Sequence, residues 1–463
     1  MNQNWNLILD LVFLSLLIGL ATLLKRLIKP LNKFLIPNAV LAGLFGLVVG
    51  PNLLNAIPFD YGRLQDLIYH LMALGFIAIA LKKKRKKSGS STSFNTGMFV
   101  AMSYALQGLF GLVLGLVLVG TIFKNLFPPF GFMLALGFAQ GPGQALSMGS
   151  SWESLGFTNG AQVGLSFSTM GFLWAAFVGV ILLNVMVYRK KQIGIQIKKP
   201  KVVRMIDVSF KDHESSDIDS FTIQILSIGI VYLMTYFFLK WFAGFLGQFG
   251  SFAQTVAQML WGFHFVFGAI FAFIFRGFYD KIRKDREYTE MEYLNDFHLQ
   301  RIAGGIFDFM VAASIAAISI ELIKQYLMPL IIVSTLGGLF IIFYVIYISK
   351  RIYSKHVLEH IVAMFGMHTG TISTGIALLR ELDPQFESGT AEDLVLGSGV
   401  AIFVGAPMMI IISFPIEGYK TGNPNLYYLG IGLLLAYIII LYLAWFLPTK
   451  KKIARERDAN HEE

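Results

Sequence analysis

Uncharged apolar runs as long as a bilayer core is thick constrain this chain more than any other feature. Phe99 to Ile122 and Ile331 to Ile348 contain no charged residue. A helix needs ~20 mostly apolar residues to cross the hydrocarbon core. Only helices and closed barrels satisfy their backbone groups there. Composition agrees. The chain has 463 residues, 55% hydrophobic and 14% charged, against about 25% charged in a soluble domain. The predicted class is an all-α polytopic membrane protein whose surroundings are the lipid bilayer. The formal net charge of +10 gives no reason to invoke nucleic acid, because the Lys and Arg gather in short loops beside apolar segments, where they set orientation. With Cys at 0 there is no disulfide, thiol nucleophile or Cys-based metal site. The first apolar segment lacks a basic start and a small-residue cleavage site, so it reads as a retained helix.

Apolar segments are expected at about Leu7 to Leu24, Phe34 to Val49, Asp66 to Leu81 and Met98 to Phe123. Lys25, Arg26, Lys29 and Lys33 follow the first, and Lys82, Lys83, Lys84, Arg85, Lys86 and Lys87 follow the third. Both basic clusters belong inside, which puts the N-terminus outside. A conflict then fixes the topology. If Gly131 to Ser150 crossed the membrane, the helix from Ala161 to Tyr188 would deliver Arg189, Lys190, Lys191, Lys198 and Lys199 to the outside. The conflict disappears if Gly131 to Ser150 enters and leaves by one face as a re-entrant hairpin, turning at Gly141-Pro142-Gly143. The second half repeats the order with opposite sign: Phe221 to Phe245, Phe252 to Phe275, Leu299 to Ile320, Leu327 to Ile348, a second hairpin from Ile361 to Leu379, then Leu394 to Phe414. A last helix, Leu426 to Phe446, ends before Lys450, Lys451, Lys452, Arg455 and Arg457, which places the C-terminus inside.

The predicted architecture is two inverted repeats of about five transmembrane helices, each with a re-entrant hairpin, plus one extra C-terminal helix. Residues 1–188 form the first repeat with its hairpin at 131–150, and 189–219 a basic cytoplasmic linker read as largely disordered. Residues 220–415 form the second repeat with its hairpin at 361–379, and 426–463 the extra helix and basic tail. The halves share residues: Ile68-Tyr69-His70-Leu71-Met72 matches Ile306-Phe307-Asp308-Phe309-Met310, and Ile77-Ala78 falls opposite Ile315-Ala316.

Two polar, glycine-rich stretches interrupt the apolar pattern at equivalent places, Gly137 to Gln144 and Gly366 to Gly375. Backbone that leaves the helix at membrane depth is tolerated only where it is buried in protein or lines a cavity. Paired breaks point to a transporter's substrate site. Half-helix N-termini attract anions and free carbonyls coordinate cations. Gln140, Gly141, Gly143, Gln144, His368, Thr369, Gly370, Thr371, Ser373 and Thr374 are therefore the candidate substrate-binding residues. The mixture suits a small polar anion with a hard cation such as Na⁺; the alternative is a kinked helix packed on small residues. Asp308 lies within a predicted span, where an ionisable group is a functional-site hypothesis. Asp308, Gly141, Gly370 and Thr374 are the candidate ion ligands, against an Asp308–Arg301 ion pair about two turns apart. His264 and His70 read as hydrogen-bonded within the bundle. Walker A, HExxH and GxSxG motifs are absent, so no enzyme is expected and coupling falls to an ion gradient.

These residues resemble the bacterial sodium/glutamate symporter family over most of the chain, apart from the linker and the last helix. Ile36-Pro37 with Gly43 is similar to the family's Ile-Pro-Glu-Pro opening of the second helix, with Asn38 in place of Glu. Gly141 and Gly143 match the first hairpin's Gly-Gly-His-Gly-Thr, where Gln140, Pro142 and Gln144 replace Gly, His and Thr. Gly370 and Thr374 match the second hairpin's Gly-Ala-Thr-Pro-Thr-Ala, and Asp308 before Phe309-Met310 looks like the family's helix Asp. The resemblance implies a homodimeric, Na⁺-coupled secondary transporter of glutamate or a related small carboxylate, in the inner (cytoplasmic) membrane of a bacterium, with elevator-like movement and no cofactor beyond Na⁺ as coupling ion. Proton coupling through Asp308 or His368 to a different organic solute is the alternative. A channel is a further one and would need a continuous polar pore face.

Overall fold

The computed structural model describes residues 5–28, 36–82, 91–192, 219–285, 293–383 and 386–462. Among these residues the fold is all helix, without a strand. Eight helices are long and apolar enough to cross a membrane, or up to ten if each of two bent pairs counts as one span.

The helices follow in chain order. α1 is Asn6–Leu27, α2 Asn38–Val49, α3 Tyr61–Ala80 and α4 Ser91–Thr121. A broken helical arm from Pro128 to Gln140 leads into α5, Pro142–Glu153, and then α6, Gly160–Gln192. α7 is Ser220–Leu246, α8 Gly250–Gly262, α9 His264–Asp285 and α10 Asp296–Ala316. α11 is Leu327–Ile352, α12 Val357–Thr369 and α13 Ile372–Leu382. α14, Thr390–Val404, passes through Pro407–Ile411 into α15, Ser413–Thr421. α16, Asn425–Leu441, continues through a π turn into α17, Leu447–Glu462. Local chemistry sets several starts: the Asp60 carboxylate accepts from Arg63 N, Asp219 from Thr222 N, and the Asn295 amide oxygen from Phe297 N and His298 N. Each satisfies backbone N–H groups that the first helical turn leaves free.

A set of close helix pairings builds one side of the molecule. α3 and α10 lie against each other, with Phe76 edge-on to Phe307 at 5.7 Å. α2 packs on α10 through Gly43 against Ile315 and Gly46 against Ala316. α9 packs on α3 through Gly268 against Ile77. Small residues allow this approach where apolar area alone drives no association in lipid. The stretches that match in sequence, 68–78 and 306–316, are therefore the ones that face each other.

The other side carries two helical hairpins. The Pro128–Gln140 arm runs along α4, where Gly131 and Gly111 bring the two backbones into contact. α5 then returns beside it: Phe127, before the arm, stacks on Phe157, after α5, at 4.5 Å. In the second hairpin α12 folds back into α13, with Gly366 against the Gly375 backbone. α6 spans both. Its Gly160 and Gly164 touch the first hairpin at Gly149 and Ala145, its Gly171 touches Phe138 and the Thr369 carbonyl, and its Gly179 touches Leu378. The hairpins thus approach the middle of α6 from its two ends. α16 and the turn after it brace α4 and α14: Trp445 Nε1 donates to Asn95 Oδ1 at 3.0 Å, and the Tyr437 hydroxyl donates to the Val404 carbonyl.

Three elements differ from the expectation. The segment expected from Phe34 is a described helix only over twelve residues, Asn38–Val49, roughly 18 Å at 1.5 Å per residue and short of a ~30 Å core. The span expected from Phe252 to Phe275 is two helices bent by 68°. The span expected from Leu394 to Phe414 bends by 48° at Gly405–Ala406, where Pro407 cannot donate to the ladder. Most of the linker placed at 189–219 lies outside the described residues.

Candidate functional site

The hairpin tips meet. Gly141 turns the first one with φ +94°, a conformation strained for any residue with a Cβ. A Cβ there would lie 3.4 Å from Thr371 Cγ2 and 3.9 Å from the Gly370 carbonyl oxygen at the tip of the second. α5 and α13 both start at this junction. Their first intrahelical bonds are Ala145 N to Gly141 O and Gly375 N to Thr371 O. The N–H groups of Gly143, Gln144, Ile372, Ser373 and Thr374 precede those bonds, and neither helix has a side-chain cap. Two positive helix ends therefore face one place.

Beside the tips lies a cavity of about 130 Å³, close to the ~150 Å³ of an engineered cavity that takes up benzene. One wall is hairpin: Gln140, Gly143, Gln144, Thr371, Ile372 and Ser373. The facing wall is Met72 and Phe76 of α3, Phe265 and Val266 of α9, and Phe307 and Met310 of α10. Met72 and Met310 hold matching positions in the two sequence-related stretches. Tyr104 of α4, Ser398 of α14 and Met408 also line it, and among the described residues no charged side chain does. Both bends unforeseen in the sequence end here, with Phe263 at one and Gly405 and Ala406 at the other. The Gly-Ala-Pro run at 405–407 was the available signal for the second.

The expected site residues divide. Gln140, Gly143, Gln144, Thr371 and Ser373 line the cavity, with Ser373 exposed. Gly141 and Gly370 form the tips. Gln144 is 6% exposed and its Oε1 has no hydrogen-bond partner. Thr374 lies beneath, 3.3 Å from the Thr371 hydroxyl. His368 and Thr369 are buried behind the second tip. His368 Nδ1 donates to the Met364 carbonyl at 2.7 Å, its ring packs on Phe99 at 5.1 Å, and Nε2 has no partner. The Thr369 hydroxyl donates to the Phe365 carbonyl.

Asp308 does not line the cavity. Phe307, Met310 and Val311 do, and their i, i+3, i+4 spacing puts position 308 about 100° round the helix. It is exposed on the outer face of α10 beside the open glycines Gly304 and Gly305. Arg301 packs over the Phe297 ring at 5.5 Å. His70, the counterpart of Asp308, is likewise exposed, 2.6 Å from the Tyr232 hydroxyl. His264 is buried: Nε2 donates to the Tyr69 carbonyl at 2.9 Å and the ring stacks on Tyr69 at 3.8 Å. The Glu153 carboxylate accepts from Ala161 N, and Arg380 lies over Phe386.

Sequence reasoning missed a buried polar cluster at the base of the second hairpin. Asp393 of α14 accepts from the Ser93 hydroxyl of α4 at 2.6 Å and pairs with His360 Nε2 of α12 at 3.2 Å. The His360 ring stacks on Tyr353 at 3.7 Å. A second cluster joins Glu417 to Thr255, which donates to its carboxylate, with Lys420 at 3.9 Å. Comparison with protein-family models, with curated proteins and with solved structures finds no match to this chain.

Proposed function

We propose that this chain is a secondary active transporter that carries a small carboxylate, the class to which glutamate belongs, in symport with Na⁺ across a bacterial inner membrane. The observation that carries the reading is the meeting of two hairpin tips, each starting a helix, beside a cavity sized for one small solute. Anions are favoured where free N–H groups and positive helix ends converge. The last carbonyls of the Pro128–Gln140 arm and of α12, which a helix end leaves without an intrahelical donor, and the Thr371 and Thr374 hydroxyls are oxygens of the kind that hold a coupling cation at a helix break.

The inverted-repeat reading rests on the paired contacts of α2 with α10 and α9 with α3, and on hairpins that reach α6 from opposite ends. With the basic loops inside, the N-terminus lies outside and the C-terminus inside. The cavity opens between the hairpin tips and part of the α3–α10 pair, while Gly143 of the first hairpin still packs directly on Met72; the cavity's facing wall is rich in Met and Phe, and Met repacks readily. That arrangement suits elevator-like movement of the hairpins against a scaffold that, in the family the sequence resembles, forms a homodimer. The buried His360–Asp393 pair favours one second reading, proton coupling, since a buried ionisable pair inside a helical bundle is the kind of group that proton relays use.

Thermal stability of the purified protein tests the coupling. A small carboxylate is expected to raise the unfolding temperature in Na⁺ and not in K⁺, because only a ligand of the folded state stabilises it. Equal stabilisation in both salts, changing instead with pH, would transfer the reading to protons. Since Asp308 stands off the cavity, Asp308→Asn is expected to leave the Na⁺ dependence intact; its loss would move the ion site to the outer face of α10.

A further inference from the structure

Two helix N-termini, each worth roughly half an elementary charge, offset one carboxylate and not two. A dicarboxylate entering this cavity would leave its second charge against Met72, Phe76, Phe307 and Met310, with no cationic side chain among the described lining residues. Burying an unpaired carboxylate is strongly unfavourable. The remaining polar demand is of the opposite kind. Gln144 is more than nine-tenths buried and lines the cavity, and its Oε1 is an acceptor without a donor. A buried acceptor left unpaired destabilises the empty site, so a ligand that brings a donor gains doubly.

We infer that the solute is a zwitterionic amino acid with one carboxylate and an apolar side chain: the carboxylate at the α5 and α13 N-termini, the ammonium on Gln144 Oε1, and the side chain among the methionines and phenylalanines. The inference rests on the cavity being the transporter's substrate site. It departs from glutamate, whose side-chain carboxylate meets no cationic side chain among the described lining residues.

The chain has no cysteine, so Ser373→Cys, at an exposed position lining the cavity, places one thiol at the site. Its maleimide labelling in Na⁺ would be followed with L-leucine, L-methionine, L-glutamate, L-malate and 4-methylpentanoate, alongside the unfolding temperature of the unaltered protein with the same solutes. Leucine or methionine is expected to slow labelling roughly tenfold at ~10 Kd and to raise the unfolding temperature, while glutamate and malate do neither. Gln144→Leu is expected to weaken leucine roughly tenfold or more, the loss of one hydrogen bond to a charged group, and to leave 4-methylpentanoate unchanged. Protection by glutamate or malate equal to that by leucine would overturn the substrate class while keeping the site. If no solute protects or stabilises, the site reading falls and the class with it. Equal weakening of leucine and 4-methylpentanoate by Gln144→Leu would overturn the ammonium assignment.

Discussion

Gly131→Ala is expected to abolish recovery of folded protein. A Cβ at Gly131 would lie 1.7 Å from the Gly111 carbonyl oxygen, and one at Gly111 would lie 2.0 Å from the Gly131 oxygen. The neighbour in each case is backbone inside a helix, so no side-chain rotation relieves the clash. The first hairpin's entering arm would have to leave α4, and Leu134 and Phe132 would lose their seats against Gly111 and Gly108. Overpacking of a close-packed interior typically costs ~1–3 kcal/mol, and a backbone-to-backbone clash belongs at or above that range. Gly120→Ala is the control, since nothing lies within 4 Å of its Cβ position. Monodispersity in detergent and the unfolding temperature read both variants. A Gly131→Ala protein as stable as the Gly120→Ala protein would contradict the hairpin packing.

Asp393→Ala is expected to destabilise the protein by about 3 kcal/mol, the cost of removing one partner from a buried, hydrogen-bonded pair. Asp393 is 8% exposed, and its loss removes the carboxylate that pairs with the buried His360 Nε2 and one acceptor of the Ser93 hydroxyl. The cluster joins α12, α14 and α4, so the loss should loosen the second hairpin at its base. Asp393→Asn keeps an acceptor for Ser93 and should recover part of the stability. Thermal unfolding of the three proteins measures this, and equal stability of the Ala variant and the original would contradict the pairing.

The sequence showed why the chain is helical and where its long helices lie, because apolar runs and basic loops are properties of single segments. It also showed the polar breaks at Gly141 and Gly370, where glycine, proline and hydroxyl residues depart from the apolar pattern. It could not show the cavity's facing wall. Met72, Phe76, Phe307 and Met310 look like any apolar helix residues until α3 and α10 meet. Asp308 stood out as a charge within an apolar helix, but its direction depends on which face α10 turns to α3, and the i, i+3, i+4 stripe of Phe307, Met310 and Val311 decides that. The bend at Phe263 has no proline to announce it. The His360–Asp393 pair joins residues 33 apart that lie on two helices brought together only by the second hairpin's fold-back.

Gradient-driven uptake into proteoliposomes tests the central claim most directly. With Na⁺ high outside and low inside, a labelled small carboxylate solute such as L-leucine is expected to accumulate above its external concentration. A Na⁺ ionophore should abolish the accumulation, and Gln144→Leu should reduce it sharply. A panel of small carboxylates in which none accumulates above equilibrium, under an imposed Na⁺ or proton gradient, would contradict coupled transport at the hairpin tips.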